Sequence, residues 1–456
     1  MSLDDVLSRI DADLPEALDR LKQLMRIPSI STDPAYTADV DRAADWLVDD
    51  LRSLGVEAGK RPTRGHPMVV GHGTGEGRHL LFYGHYDVQP VDPLDLWHRD
   101  PFDPEIQETP KGRVIRGRGA CDDKGQLMTF VEACRAWKAV HGALPGRISF
   151  FFEGEEESGS PSLLPFLDAH ADELRADLAL ICDTGLFDGE TPAITTMLRG
   201  LLGEEVTITG PDKDLHSGSY GGIAMNPIRV LGRIVASLHD ATGRVTVPGF
   251  YDGVAELADE IAAQWAGLGF DEAGFLGEVG LADKAGEAGR SGLEMVWSRP
   301  TCEVNGISGG YAGDGFKTVL PSKASAKISF RLVGTQDPHA IRDSFRAMVR
   351  GLVPADCTVE FTDHGASPAS VMATDDPAFE AARVALSDEW PRPAAFVGCG
   401  GSIPVAGYFK TMLGMDSMLI GFGRDDDQIH SPNEKYDLES FHKGIRSWAR
   451  ILAALT

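Results

Sequence analysis

His85 and Asp87 stand two residues apart at the end of the apolar run HLLFYGHYD (79 to 87). If that run is a strand, both side chains leave the same face, and the Asp87 carboxylate is placed to orient the imidazole of His85. A histidine and an aspartate at this spacing form a packed structural pair more often than a metal site, so the strand end is what raises the chemical reading. Asp122 and Asp123 lie in GRGACDDKGQL (117 to 127), a Gly-rich turn that leads into the helical pattern QLMTFVEACRAWKAV. Capping the helix explains one of them; the flanking GRG and DKG, which permit close backbone approach, make a bridging metal ligand an equal alternative. EGEEESGS (153 to 160) sets three glutamates in a row after the strand-like RISFFF, where they repel one another unless a cation neutralises them. Successive strand side chains point to opposite sides, so Glu156 and Glu157 suit different tasks, one on a water and one on a metal. Glu155 reads as part of a solvated turn capping the helix that begins near Ser160 and Pro161. Asp183 closes the apolar run ADLALICD, and His430 sits in the polar loop GRDDDQIHSPNEKYD.

Two histidines with several carboxylates form a hard oxygen and imidazole donor set, which suits paired Zn²⁺ or Mn²⁺. Two such ions, typically about 3.5–4 Å apart, hold a hydroxide between them and polarise a carbonyl. Six cysteines (Cys121, Cys134, Cys182, Cys302, Cys357 and Cys399) are scattered without CxxC spacing and read as reduced thiols. GHGTGEG (71 to 77) lacks the Gly-Lys-Ser/Thr ending of a phosphate loop and reads as a turn, and without a GxSxG elbow a nucleophilic serine is disfavoured.

The elements that must position these groups alternate from the N-terminus: an amphipathic stretch near 3 to 25, another near 38 to 54 closed by Gly55, then the run MVV at 68 to 70. That rhythm predicts an α/β unit with a mostly parallel sheet flanked by helices. Four later apolar runs, HLLFYGHYD, RISFFFEGEEE, ADLALICD and SMLIGFGRDDDQIH, each lead into acidic residues or histidine. Ligands of open α/β sheets gather beyond the carboxyl ends of the strands, so these ends are expected to converge on one polar site. Between about 195 and 367 the order becomes βαββαβ: GEEVTITG, the helix NPIRVLGRIVASLHD with Asn226 as cap and Pro227 at its first position, TCEVNGI, KASAKISFRLV, the helix DPHAIRDSFRAMVRGLV, and CTVEFTD. This is a ferredoxin-like pattern carrying a helical, Gly-rich insertion at about 241 to 297. Candidate residues precede it (Asp183) and follow it (His430), which predicts a catalytic domain, 1 to 194 and 368 to 456, interrupted by a lid domain, 195 to 367. Pairing across a two-fold axis is a common cover for the edge strands of such a sheet, so a homodimer through the lid is expected.

At 456 residues the chain exceeds what one hydrophobic core usually supports, in keeping with two units. With 42% hydrophobic and 25% charged residues it has an ordinary globular composition, and no apolar run approaches the roughly 18 residues of a membrane span. The acidic, amphipathic start has neither secretory nor transit character, so the expected location is cytoplasmic. A net charge of −26 repels nucleic acid and anionic membrane surfaces, and neither is expected as a partner.

Together GHYDVQP, GRGACDDKG, EEESGS, LALICD and HSPNE resemble segments of a family of binuclear metallopeptidases that includes carnosinase and related dipeptidases, aminoacylase, acetylornithine deacetylase and bacterial glutamate carboxypeptidase. The likeness covers nearly the whole chain, the inserted lid included. It implies His85, Asp122, Glu157, Asp183 and His430 as ligands of two divalent ions, with Asp122 bridging, Asp87 orienting His85, and Glu156 as general base. It implies no thiolate ligand, which leaves Cys121 and Cys182 as packing residues. DLHSGSYGG is similar to the stretch whose histidine, here His216, supports the transition-state oxyanion, and in related dipeptidases that histidine reaches into the partner's active site. Arg331 in SFRLV, Asn305, and Gly401 with Ser402 in GGSIPV fall where related dipeptidases hold the substrate carboxylate and flanking groups. The long linker VDPLDLWHRDPFDPEI and the large lid look more like the dipeptidase branch. The implied activity is hydrolysis of an amide bond in a dipeptide or similar small substrate, with Glu156 taking a proton from the bridging water and returning it to the leaving amine. An N-acyl amino acid deacylase or a carboxypeptidase on the same core is the alternative. A non-catalytic metal-bound scaffold is the alternative of another class, and the presence of Glu156 beside Glu157 argues against it.

Overall fold

In the computed structural model, which describes residues 2–456, the four apolar runs that end in candidate ligands lie side by side. Strands Arg147–Glu153, His79–His85, Leu178–Ile181 and Ser417–Ile420 are neighbours in that order and pair in parallel. The register sets His85 against Glu153, and Ile181 against both Tyr83 and Leu419, so the carboxyl ends reach nearly one level. Helices cover both faces, which is why these runs are apolar throughout instead of alternating. Phe150 and Phe152 touch Phe130 and Phe82 on the side of helix Lys124–His141, whereas Phe151 stacks on Phe166 of helix Leu163–Leu174. Helices Leu3–Met25, Lys124–His141 and Leu438–Leu455 pack on one another, and Trp448 closes this layer edge-on against Phe82 and Phe130.

Antiparallel strands flank those four. Glu57–Arg61 and Met68–His72 extend the sheet antiparallel on one side and Ala193–Leu198 does so on the other. The sheet is therefore mixed: the parallel strands that the rhythm of the sequence predicted form its centre, with antiparallel strands at its margins. The link at 62–67 is far shorter than the dozen or so residues of a crossover, so the two strands it joins cannot pair in parallel. The stretch read as a linker, VDPLDLWHRDPFDPEI, leads into a hairpin of Glu105–Thr109 and Gly112–Arg116, to which Lys435–Asp437 adds as a third antiparallel strand.

The described residues form two units, the first running through Thr196 and including Met372–Val397 and Val405–Thr456, the second Met197–Val371 with Gly398–Pro404. Gly398–Pro404 thus belongs to the second unit although its sequence neighbours on both sides belong to the first. In the second unit the antiparallel strands lie in the order Thr301–Gly309, Lys323–Leu332, Gly200–Thr209, Thr358–Ser367. With helices Pro227–Ala236 and Pro338–Leu352 they follow the βαββαβ sequence of a ferredoxin-like layer. Alternate strand residues, among them Leu202, Val206, Ile328 and Phe330, share a core with Ile234, Phe345 and Val349 of the helices. Both helices begin as their sequences indicate. The Asn226 side chain accepts from Ile228 N and that of Asp337 from His339 N, each with proline next in the chain. No helix of the described residues is long and apolar enough to cross a membrane.

Candidate metal centre

His85 is buried at the end of its strand, and both ring nitrogens face carboxylates. Nε2 lies 3.0 Å from Asp122 Oδ1, and Nδ1 lies 3.4 Å from Asp87 Oδ1. Asp87 does more than orient this ring. Its Oδ1 accepts from Glu156 N at 3.2 Å and its Oδ2 from Glu157 N at 3.0 Å. One fully buried carboxylate thus ties the histidine to the loop that carries both glutamates.

Asp122 sits between two imidazoles, with Oδ2 at 2.9 Å from His430 Nε2, and that nitrogen is also 3.2 Å from Glu157 Oε2. The donor atoms fall into two groups that share Asp122: His85, Asp122 and Asp183 in one, Asp122, Glu157 and His430 in the other. Within each group they lie within 4.8 Å of one another. Burial, together with the charges of Asp87, Glu157 and Asp122 and against the pull of His85, pushes the Glu156 carboxyl up to about 7. Burial and the same crowding, now from Asp122, Glu156 and Glu157, raise Asp183 well above the usual carboxylate range. Conversely, hydrogen bonds that His430 donates to Asp122 and Glu157 pull its imidazole up to about 10. Beside burial, the crowded carboxylates behind these shifts make up an excess of negative charge of the kind that divalent cations relieve. Hard donors, their spacing and a shared aspartate all fit two such ions. A third acidic group, Asp426, Asp427 and Asp437, is of a different kind, because Lys435 Nζ donates to each member at 2.8, 2.7 and 2.7 Å.

The turn that presents Asp122 is wrapped around a residue that sequence reasoning missed. Glu434 is fully buried; Oε1 accepts from Cys121 N at 2.9 Å and Asp122 N at 3.1 Å, and Oε2 from Arg118 at 2.8 Å and Gly119 N at 3.0 Å. Its only local signal is an acid just past His430 in HSPNEKYD. Asp123 does not cap the helix that follows. Its Oδ2 accepts from His85 N at 3.1 Å, in a space kept open by Gly84, whose added Cβ would stand 2.8 Å from that oxygen. Glu155 is also unlike its sequence reading: it is only 3% exposed and accepts from His66 N at 2.8 Å and Ser162 N at 3.0 Å.

Five of the residues singled out in the sequence belong to the second unit. His216 is exposed at the end of the two-residue strand Leu215–His216, where its Nδ1 accepts from Gly218 N at 3.0 Å. That bond leaves the proton of a neutral ring on Nε2. Arg331 stands opposite Thr301 and Leu201 in the sheet, and Asn305 is exposed at a bulge of the edge strand Thr301–Gly309. Arg199, which the sequence gave no reason to notice, organises the rest. Its Nε donates to Gly400 O at 3.0 Å and its backbone N to Gly401 O at 3.1 Å, which fixes the segment of Gly401 and Ser402. Burial and, after it, the charge of Arg331 pull Arg199 down to about 10, so two guanidiniums are close enough to repel. An anion placed beside them would relieve that repulsion.

Peptidase family M20/M25/M40 matches residues 81–454 of the chain. The Cys-Gly metallodipeptidase dug1 of Schizosaccharomyces pombe is 32% identical over 463 residues, covering 98% of this chain and 97% of that protein. Among solved structures, human carnosine dipeptidase 1 aligns with a TM-score of 0.80 at 27% identity, covering 100% of this chain and 99% of the other. The M20 family metallo-carboxypeptidase Sso-CP2 of Sulfolobus solfataricus aligns with a TM-score of 0.82 at 30% identity, covering 96% and 99%.

Proposed function

Since the chain belongs to peptidase family M20/M25/M40 and is a metallopeptidase, we propose that it hydrolyses the peptide bond of dipeptides on two divalent cations held in the first unit. The observation that carries this reading is the pair of donor groups sharing Asp122, with Glu156 beside them and outside both. His85, Asp122 and Asp183 would hold one ion and Asp122, Glu157 and His430 the other, with Zn²⁺ the best match to these donors and Mn²⁺ the second. When bound, such ions lower the pKa of water and polarise a carbonyl.

Glu156 accepts the proton of the attacking water and passes it to the leaving amine. Its carboxylate makes no hydrogen bond or ion pair among the described residues, so it is at liberty to do so. His216 donates from Nε2 to the carbonyl oxygen as negative charge develops there. Arg331 binds the C-terminal carboxylate of the substrate, a role supported by the crowding of Arg199 against it. Gly401, Ser402 and Asn305 hold the flanking groups. A homodimer through the second unit is supported by apolar side chains exposed on and beside its edge strand, Ile307 at 64%, Tyr311 at 47% and Phe316 at 91%. The cytoplasmic reading is supported by six free cysteines.

A carboxypeptidase is the second reading, favoured by the alignment with Sso-CP2. The protein loaded with Zn²⁺ or Mn²⁺ is tested on Cys-Gly, β-Ala-His, a tripeptide and an N-acetyl amino acid. The dipeptides should be cleaved with the highest kcat/KM. Faster release of the last residue from the tripeptide would replace this reading with the carboxypeptidase, and faster cleavage of the N-acetyl amino acid would replace it with a deacylase.

A further inference from the structure

We propose that Glu155 is a positioning residue for Glu156, fixing the base through the main chain by latching the glutamate loop to the turn at Thr63–His66. The inference rests on the reading of Glu156 as base given above. A base whose carboxylate bonds to nothing must be placed by its backbone, and two residues hold that backbone. Asp87 grips Glu156 N and Glu157 N, as described. Glu155 grips the loop from the other side. Its carbonyl accepts from Ser158 N at 3.1 Å and Ser160 N at 2.7 Å, and its carboxylate from Ser162 N and His66 N, so both turns of the loop close on this one residue.

The surface that receives the carboxylate is itself rigid. Thr63 Oγ1 donates to His66 O at 2.6 Å and accepts from Gly65 N at 3.0 Å, and Gly65 lies so flat on Glu155 that an added Cβ would stand 1.5 Å from Oε1. Beyond the latch is a cavity of about 560 Å³ lined by Pro62, Arg64, Pro161, Phe166 and His170, so side-chain packing gives the turn little other hold on the loop. A third carboxylate next to so dense a negative cluster is electrostatically unfavourable. Two N–H groups aimed at two oxygens call for a carboxylate, since an amide would turn an NH₂ group toward one of them.

The test compares metal-loaded wild type, Glu155→Gln, Gly65→Ala and the double variant on Cys-Gly, or on whichever dipeptide of the panel is cleaved fastest. Bound metal is counted and amide exchange at His66 and Ser162 is followed. Misplacing a base by a fraction of an ångström to one ångström lowers turnover by about 10- to 100-fold. Each single variant should lose kcat by about that factor with KM and metal content unchanged and with faster exchange at both amides, and the double variant should be no worse than the worse single. Faster exchange with kcat within about twofold of wild type makes the latch merely structural and overturns the inference. So does loss of metal, which would assign Glu155 to the ligand Glu157, or multiplying losses in the double variant. If Gly65→Ala does not fold, Glu155→Gln decides alone. Glu156→Gln is run beside them: full activity there removes the base itself, whereas an inactive Glu156→Gln with a normal Glu155→Gln removes only the latch.

Discussion

Glu156 and Glu157 are adjacent in the chain and differ in everything around them. Glu157 Oε2 lies 3.2 Å from His430 and accepts from Gln89 Nε2 at 2.7 Å, whereas Glu156 stands apart from both donor groups. Glu156→Gln should therefore keep two bound ions and lose several orders of magnitude in turnover, while Glu157→Gln should weaken metal binding as well. Metal analysis beside turnover decides, and the opposite pattern would exchange the two assignments. Arg331→Ala should cost about 1.5–3 kcal/mol in kcat/KM on a substrate with a free C-terminal carboxylate and little on its amide, because only the former accepts a charged hydrogen bond. Equal losses on both would make Arg331 structural. At this scale the sequence displayed the residue types and the strand ends that carry them, but not what each side chain touches. The Asp87 carboxylate acts on amides 69 and 70 residues away in the chain, and Glu434 on one 312 residues away. Glu155 looked like a solvated acid because nothing local announces the turn that covers it.

The element that sets Asp122 in place is the GRGACDD turn, and its centre is the buried pair Arg118–Glu434, 1% and 0% exposed. Glu434→Gln leaves Arg118 without its counter-charge, and breaking one side of a buried pair destabilises by about 3–5 kcal/mol. It also loosens Asp122, which should weaken metal binding by about 10- to 100-fold. Urea unfolding without metal and titration against a chelator measure the two effects separately. A normal metal affinity would confine Glu434 to folding. The four central strands and the ferredoxin-like layer were legible because each obeys a simple period and ends in a recognisable way. The antiparallel margins of the large sheet and the small sheet around Glu434 were not. Their pairing is set by loop lengths and by Lys435–Asp437, a strand that arrives from the far end of the chain.

For the molecule as a whole, the exposed apolar side chains of the second unit and the donor nitrogen of His216 suggest a site completed by a second copy. His216→Ala and Glu156→Gln proteins, each nearly inactive, should recover about a quarter of wild-type sites when unfolded and refolded together, since random pairing gives half hybrids with one complete site each. Confirmed hybrids without activity would place His216 in its own subunit's site or in none. The existence of two units was readable from the change of rhythm near 195. The membership of Gly398–Pro404 was not, because it depends on Arg199, some two hundred residues earlier. The lysine that serves Asp426, Asp427 and Asp437 has a consequence for ion selectivity. A chain with 69 acidic and 43 basic residues offers dissolved cations many carboxylates, and discrimination requires that the wrong clusters be filled already. Lys435 is a tethered counter-ion whose effective local concentration no free ion matches, so it removes that cluster from competition. Metal titration should accordingly saturate at two equivalents, and Lys435→Met should open a weaker third.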